Sequence, residues 1–173
     1  GPDSDWEYIH YAYFSAICQA RKNVYIETPY FIPDESLLKA IKSAALSGVD
    51  VRIIFPKIAD HKIVNIASYS YFEEILRAGG KVYLYNKGFI HSKVVIIDDK
   101  IASAGTANMD LRSFMLNFEV NAFIYDEEVI RVMTDDFFED LSHCEELNLE
   151  VFKNRNIIQK IKESVARLFS PIL

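Results

Sequence analysis

His91 and Lys93 open the run His-Ser-Lys-Val-Val-Ile-Ile-Asp, and after a short turn the chain reaches Gly105-Thr106-Ala107-Asn108. The spacing is H-x-K-x4-D followed by G-T-x-N. On a strand, side chains two apart point to one side, so His91 and Lys93 present an imidazole and an ammonium to a single pocket. That pair suits phosphate chemistry. The cation holds phosphoryl oxygens while the imidazole attacks phosphorus or passes a proton near neutral pH. Strict alternation sets Asp98 on the opposite side from His91, at the strand end beside Asp99 and Lys100, which gives it a supporting role. Asn108, on the turn after the next strand, adds its amide and nearby backbone N–H groups as phosphate donors, with Thr106 beside it as a further substrate contact. Glu119, starting a later strand, is placed to accept the second ring N–H of a histidine and fix its tautomer. A lone His-x-Lys is ordinarily a surface pair. Here Gly88-Phe89 and the apolar Val94 to Ile97 run indicate a central strand covered on both faces, where charged groups are costly unless used.

These residues need a scaffold, and short apolar runs alternating with helical stretches point to an α/β fold, a mixed central sheet flanked by helices. A first helix is predicted over Tyr8 to Arg21 and a strand over Val24 to Thr28. After Pro29-Tyr30-Phe31-Ile32-Pro33, Asp34 can cap a helix whose apolar residues Leu37, Leu38, Ile41, Ala45 and Leu46 follow helical spacing and which Gly48 ends. A strand at Val49 to Phe55 and a helix at Tyr69 to Ala78, stopped by Gly79-Gly80, come next. Strands at Lys81 to Tyr85, Ser92 to Ile97, Ile101 to Ala104 and Phe118 to Tyr125 are expected to form the centre of the sheet. Helices at Glu127 to Leu141 and Ile157 to Phe169 finish the chain.

The 173 residues, half of them apolar, can bury a substantial core, and residues 3–173 read as one domain; Gly1-Pro2 resembles the scar of a cleaved expression tag. A net charge of −6 argues against a general nucleic-acid binder. Cys18 and Cys144 match no metal-ligand or C-x-x-C spacing and read as two free thiols. No apolar run approaches the roughly 18 to 20 residues of a membrane span and no signal peptide opens the chain, so by itself it is expected to be soluble. After position 152 the charge is about +4 against about −10 for the rest. Within that tail Ile157, Ile161, Val165 and Leu168 form an apolar stripe over about 156–169. Such a helix either lies on an anionic membrane surface or docks its stripe on the core. Tyr30 and Phe31 carry the same ambiguity, as an apolar lip for lipid chains or as packing of a rigid loop.

His91-x-Lys93-x4-Asp98 with Gly105-Thr106-x-Asn108 resembles the signature of the phospholipase D superfamily. Thr28-Pro29-Tyr30-Phe31-Ile32-Pro33-Asp34, Gly48-Val49-Asp50-Val51, Asn108-Met109-Asp110-Leu111-Arg112-Ser113, Asn117-Phe118-Glu119-Val120-Asn121 and Arg167-Leu168-Phe169-Ser170-Pro171 resemble the C-terminal half of the bacterial cardiolipin synthase family. The resemblance covers nearly the whole chain. It implies two copies of the motif facing each other, one histidine forming a phosphohistidine while the other protonates the leaving alcohol and activates the acceptor, with no metal and no cofactor. Carried over, His91 is one of the two histidines and the likelier acid/base, Lys93 and Asn108 bind phosphate, and Glu119 orients His91. The implied substrate is phosphatidylglycerol, converted to cardiolipin and glycerol at the bacterial cell membrane. A second motif is absent: His10, His61 and His143 lack the lysine two residues on and read as surface or packing histidines. The missing half must come from the N-terminal half of the same enzyme or from a second copy of the chain. A single-motif phosphodiesterase or nuclease acting as a homodimer, and a non-catalytic lipid-binding module, are the alternatives.

Overall fold

A computed structural model describes residues 2–3, 5–58 and 60–169. In chain order the elements are α1 (Tyr8–Gln19), β1 (Asn23–Glu27), β2 (Phe31–Ile32), α2 (Glu35–Leu46), β3 (Asp50–Pro56), α3 (Lys62–Arg77), β4 (Lys81–Tyr85), β5 (Val94–Ile97), β6 (Ile101–Gly105), β7 (Met109–Asp110), α4 (Leu111–Met115), β8 (Asn121–Ile124), α5 (Glu127–Ser142), β9 (Cys144–Glu146), α6 (Leu149–Lys153) and α7 (Ile157–Leu168). Seven strands form one mixed sheet in the order β8-β6-β5-β1-β3-β4-β9. The crossover helices α2 and α3 make β1, β3 and β4 parallel, whereas the short turn after β5 and the return through β7 and α4 after β6 make neighbouring β5, β6 and β8 antiparallel. The predicted α/β class stands.

Local chemistry explains the boundaries. The Asp34 carboxylate accepts from the N–H groups of Ser36 at 3.0 Å and Leu37 at 3.2 Å to start α2, and Gly48, at φ +88°, ends it. Asp126 caps α5 in the same way. One face of the sheet is covered by α1, α2 and α3 through residues such as Tyr13, Ile41 and Phe72, and the other by α5 through Ile130 and Phe137.

Several expectations are corrected. β4 lies beyond β1 and β3, and β8 is an edge, so the later strands do not all sit at the sheet centre. β5 begins at Val94 rather than Ser92 and β8 at Asn121 rather than Phe118, because pairing with β1 and β6 runs only over those residues. α3 begins at Lys62, not Tyr69: its first turns lack a side-chain cap and are held instead by packing, with Ser68 Oγ accepting from Phe31 N–H at 3.2 Å. The pair β2·β7, the edge strand β9 and the short helices α4 and α6 were not signalled by periodicity, being two to five residues long.

Candidate active site

The motif residues meet because of strand direction. The carboxyl ends of β1, β3 and β6 and the amino ends of the antiparallel strands β5 and β8 all open on one edge of the sheet. From that edge come Tyr30 after β1, Asp60 and His61 after β3, His91 and Lys93 before β5, Asn108 after β6, and Glu119 before β8. The carboxyl edge of an open α/β sheet is where ligand sites form. The two-strand pair Phe31↔Met109 and Ile32↔Asp110 ties the loop after β1 to the Asn108 turn, and Thr28 Oγ1 reinforces it by accepting from Met109 N–H at 3.3 Å.

His91 is exposed, its ring beside Phe89 with centroids 5.5 Å apart, and the imidazole takes no hydrogen bond among the described residues. Lys93 is buried at 9% exposure, and its Nζ donates to the His91 carbonyl at 2.7 Å. Burial lowers the ammonium's proton affinity, and the carboxylates of Glu119, Asp60 and Asp110 oppose that by attraction. Asn108 borders a cleft of about 750 Å³ shared with Tyr30, Asp60, His61, Asp110 and Arg112. Its Oδ1 is buried without a partner, so its side-chain amide is uncommitted to the fold among the described residues.

Gly105 of the G-T-x-N turn is required by close approach: a Cβ there would lie 2.2 Å from the Val120 carbonyl oxygen and 2.6 Å from Asn121 Cα. Thr106 serves the same junction. Its N–H donates to the Val120 carbonyl at 2.9 Å and its Oγ1 accepts from Val120 N–H at 2.9 Å, so it clamps the Glu119 segment.

Asp98 stands at the far end of β5. At φ +56° its carboxylate accepts from the N–H groups of Arg21, Lys22 and Asn23 at 2.7–3.1 Å, fastening the start of β1. Burial raises its pKa, but these three donors outweigh burial and hold it below the ordinary range. Glu119 does not contact the His91 ring; it accepts from Asn117 Nδ2 at 3.2 Å and lies near Lys93. Phe31 is fully buried and packs on Phe72 with centroids 5.9 Å apart, so it belongs to the core and not to a lipid lip. Tyr30 does line the cleft, donating to Asp60 Oδ2 at 2.5 Å.

Asp60, Asp110 and His61 are functional candidates that the motif search passed over. His61, read as a surface or packing histidine, lines the cleft with its ring 6.1 Å from Tyr30. Only the position of Asp60-His61 after a strand that ends at the motif edge could have signalled them. His10 is a packing histidine, buried and bonded to Asp34 at 2.9 Å. Among the described residues, no group of three or more His, Cys, Asp or Glu side chains is placed to hold a metal ion.

The topology is that of a phospholipase D-like fold. Nuc from Salmonella typhimurium, a phospholipase D family member, superposes with a TM-score of 0.70 over 80% of this chain and 90% of its own, at 20% identity. A phosphatidylserine synthase from Haemophilus influenzae does so with a TM-score of 0.70 over 92% of this chain and 44% of its own, at 21% identity. Within that class, the family described as cardiolipin synthase, PLD-like domain, matches residues 13–142, and the chain belongs to it. Cardiolipin synthase 2 of Bacillus anthracis is 54% identical and the cardiolipin synthase of Clostridium perfringens (strain 13 / Type A) 51% identical over all 173 residues. The chain spans 34% and 36% of the lengths of those relatives, about a third.

Proposed function

We propose that residues 3–173 form the C-terminal catalytic domain of a cardiolipin synthase, working at the bacterial membrane as one half of a two-motif active site. The reaction moves a phosphatidyl group from one phosphatidylglycerol to another. A histidine nitrogen attacks phosphorus and forms a P–N bond as the bond to glycerol breaks, and the glycerol oxygen takes a proton from the opposing histidine. That second histidine then removes the proton from the hydroxyl of an incoming phosphatidylglycerol, whose oxygen displaces the phosphohistidine and gives cardiolipin. His91 is the acid/base of the pair; Lys93 and Asn108 hold the phosphate, with the Glu119 carboxylate near Lys93.

The observation that carries this reading is the single sheet edge on which an exposed His91, a buried Lys93 and an uncommitted Asn108 amide converge. The relatives' names support the substrate class. Their threefold greater length leaves room for the opposing motif. The net charge of −6 weighs against nucleic acid as substrate. The test is His91→Ala in the full-length protein supplied with labelled phosphatidylglycerol. Loss of an acid/base group predicts a fall of roughly 10²-fold or more in cardiolipin formation, and intact formation overturns the assignment.

A further inference from the structure

The sequence left α7 with two possible orientations, and the structure selects one. Its buried residues are Glu163 and Ala166, not the apolar stripe. Ile157, Ile161 and Leu168 are 66%, 57% and 78% exposed, and Ile158, Val165 and Phe169 are exposed with them. α7 packs on α3 through its polar side. Arg155, just before α7, bridges Glu163 at 2.6 Å and Glu73 of α3 at 2.8 Å, while Arg167 reaches Glu74 at 2.7 Å and lies over the Tyr71 ring. A helix that spends its polar side on the domain and turns its isoleucines outward is the inverse of an ordinary surface helix.

The outward side also has a sign. Glu163 is the only acidic residue between Ile157 and Phe169, and it is turned inward and neutralised by Arg155. Lys162, exposed, and Lys160, half-buried with its Nζ donating to the Lys153 carbonyl, lie on either side of the apolar strip. An apolar strip edged by lysines and free of carboxylates complements a surface that is apolar below and anionic above, which is a bilayer of acidic phospholipid. Position agrees with charge. The first turns of α7 run along Asn65, Ile66 and Tyr69 of α3, and the preceding turn of α3, Lys62 to Val64, lines the cleft that Asn108 borders.

We propose that the outward face of α7 is a lipid-contact surface that seats this domain on an anionic bilayer with the cleft beside it. This deepens the proposed function and rests on it for the substrate class. The test is flotation of the chain with phosphatidylglycerol vesicles and with phosphatidylcholine vesicles, using Ile161→Glu/Val165→Glu and Lys160→Ala/Lys162→Ala variants. Sedimentation and thermal melting are followed in parallel.

The expected result is binding to the anionic vesicles that falls at least about tenfold in the double-glutamate variant, with melting unchanged. The double-alanine variant weakens binding to anionic vesicles only, by roughly thirtyfold at about 1 kcal/mol per lysine. Failure of the wild-type chain to float, or equal flotation of the double-glutamate variant, overturns the proposal. So does a wild-type dimer that the glutamates dissociate, since a second copy then covers the face. Cardiolipin formation by the full-length protein in detergent micelles is scored separately. If it is absent while flotation behaves as expected, the reaction assignment fails and the lipid surface stands.

Discussion

Replacing Glu27 by glutamine should make the protein more stable at pH 8 and leave it nearly unchanged at pH 4. Glu27 ends β1 opposite Val94 of the motif strand and is only 4% exposed. Burial pushes its pKa from the usual 4.5 up to about 7; a hydrogen bond from Ser92 opposes this, and the nearby Asp140 and Asp136 add to it. Between those two pH values the unfolded chain has lost the proton that the folded chain still holds. Stability from this group is therefore fully present below pH 4.5 and is lost as pH rises toward 7. At about 1.4 kcal/mol for each tenfold change in proton affinity, the loss is roughly 3 kcal/mol. Glutamine keeps the shape and a polar contact with Ser92 but has nothing to ionise. Urea unfolding of both proteins, repeated from pH 4 to pH 8.5, isolates the effect, because every other carboxylate is common to the two and cancels in the difference. Parallel stability curves across that range would refute the assignment of a neutral, buried carboxyl beside the motif strand.

Gly105→Ala should lower the melting temperature by at least about 5 °C, since a Cβ 2.2 Å from the Val120 carbonyl can be relieved only by parting β6 from β8; an unchanged melt refutes the close approach. Asp98→Asn should cost roughly 1–2 kcal/mol at pH 7. Its difference from wild type should shrink as pH falls through the carboxylate range, because a depressed pKa gives stability that is lost on acidification. Specific activity per folded molecule should be unchanged in the parent enzyme, and a large fall would restore Asp98 to the catalytic machinery. Phe31→Ala should cost about 3–5 kcal/mol as a core truncation, measured by chemical unfolding. Lost activity with unaltered stability would favour the lipid-lip role instead.

The motif was legible because its chemistry is local. His91 and Lys93 lie two residues apart, and Gly105 to Asn108 follow one turn and one strand later, so spacing alone groups them. Asp60, His61 and Asp110 were not legible, because what joins them to Lys93 is the parallel order of β1 and β3 and the two-residue pairing of β2 with β7. No periodicity announces a two-residue strand. Asp98 shows the converse case. It is part of the motif by spacing, yet its three N–H donors come from residues 21–23, more than seventy positions away. A motif position can therefore serve to hold a strand in place.

The tail shows a different limit. Helical spacing identifies an apolar strip, but it carries no information about what the strip meets, and the ordinary inference that it meets the core assumes that docking is decided by apolar area. In α7 it is decided by Arg155, which is 11% exposed and held between Glu73 and Glu163. Those two carboxylates are 23% and 3% exposed, and turning the helix to bury its isoleucines would leave Glu163 without its partner. Separating a buried charge from its partner costs roughly 3–5 kcal/mol. The ion pair therefore favours the helix face observed, on which the apolar strip is exposed.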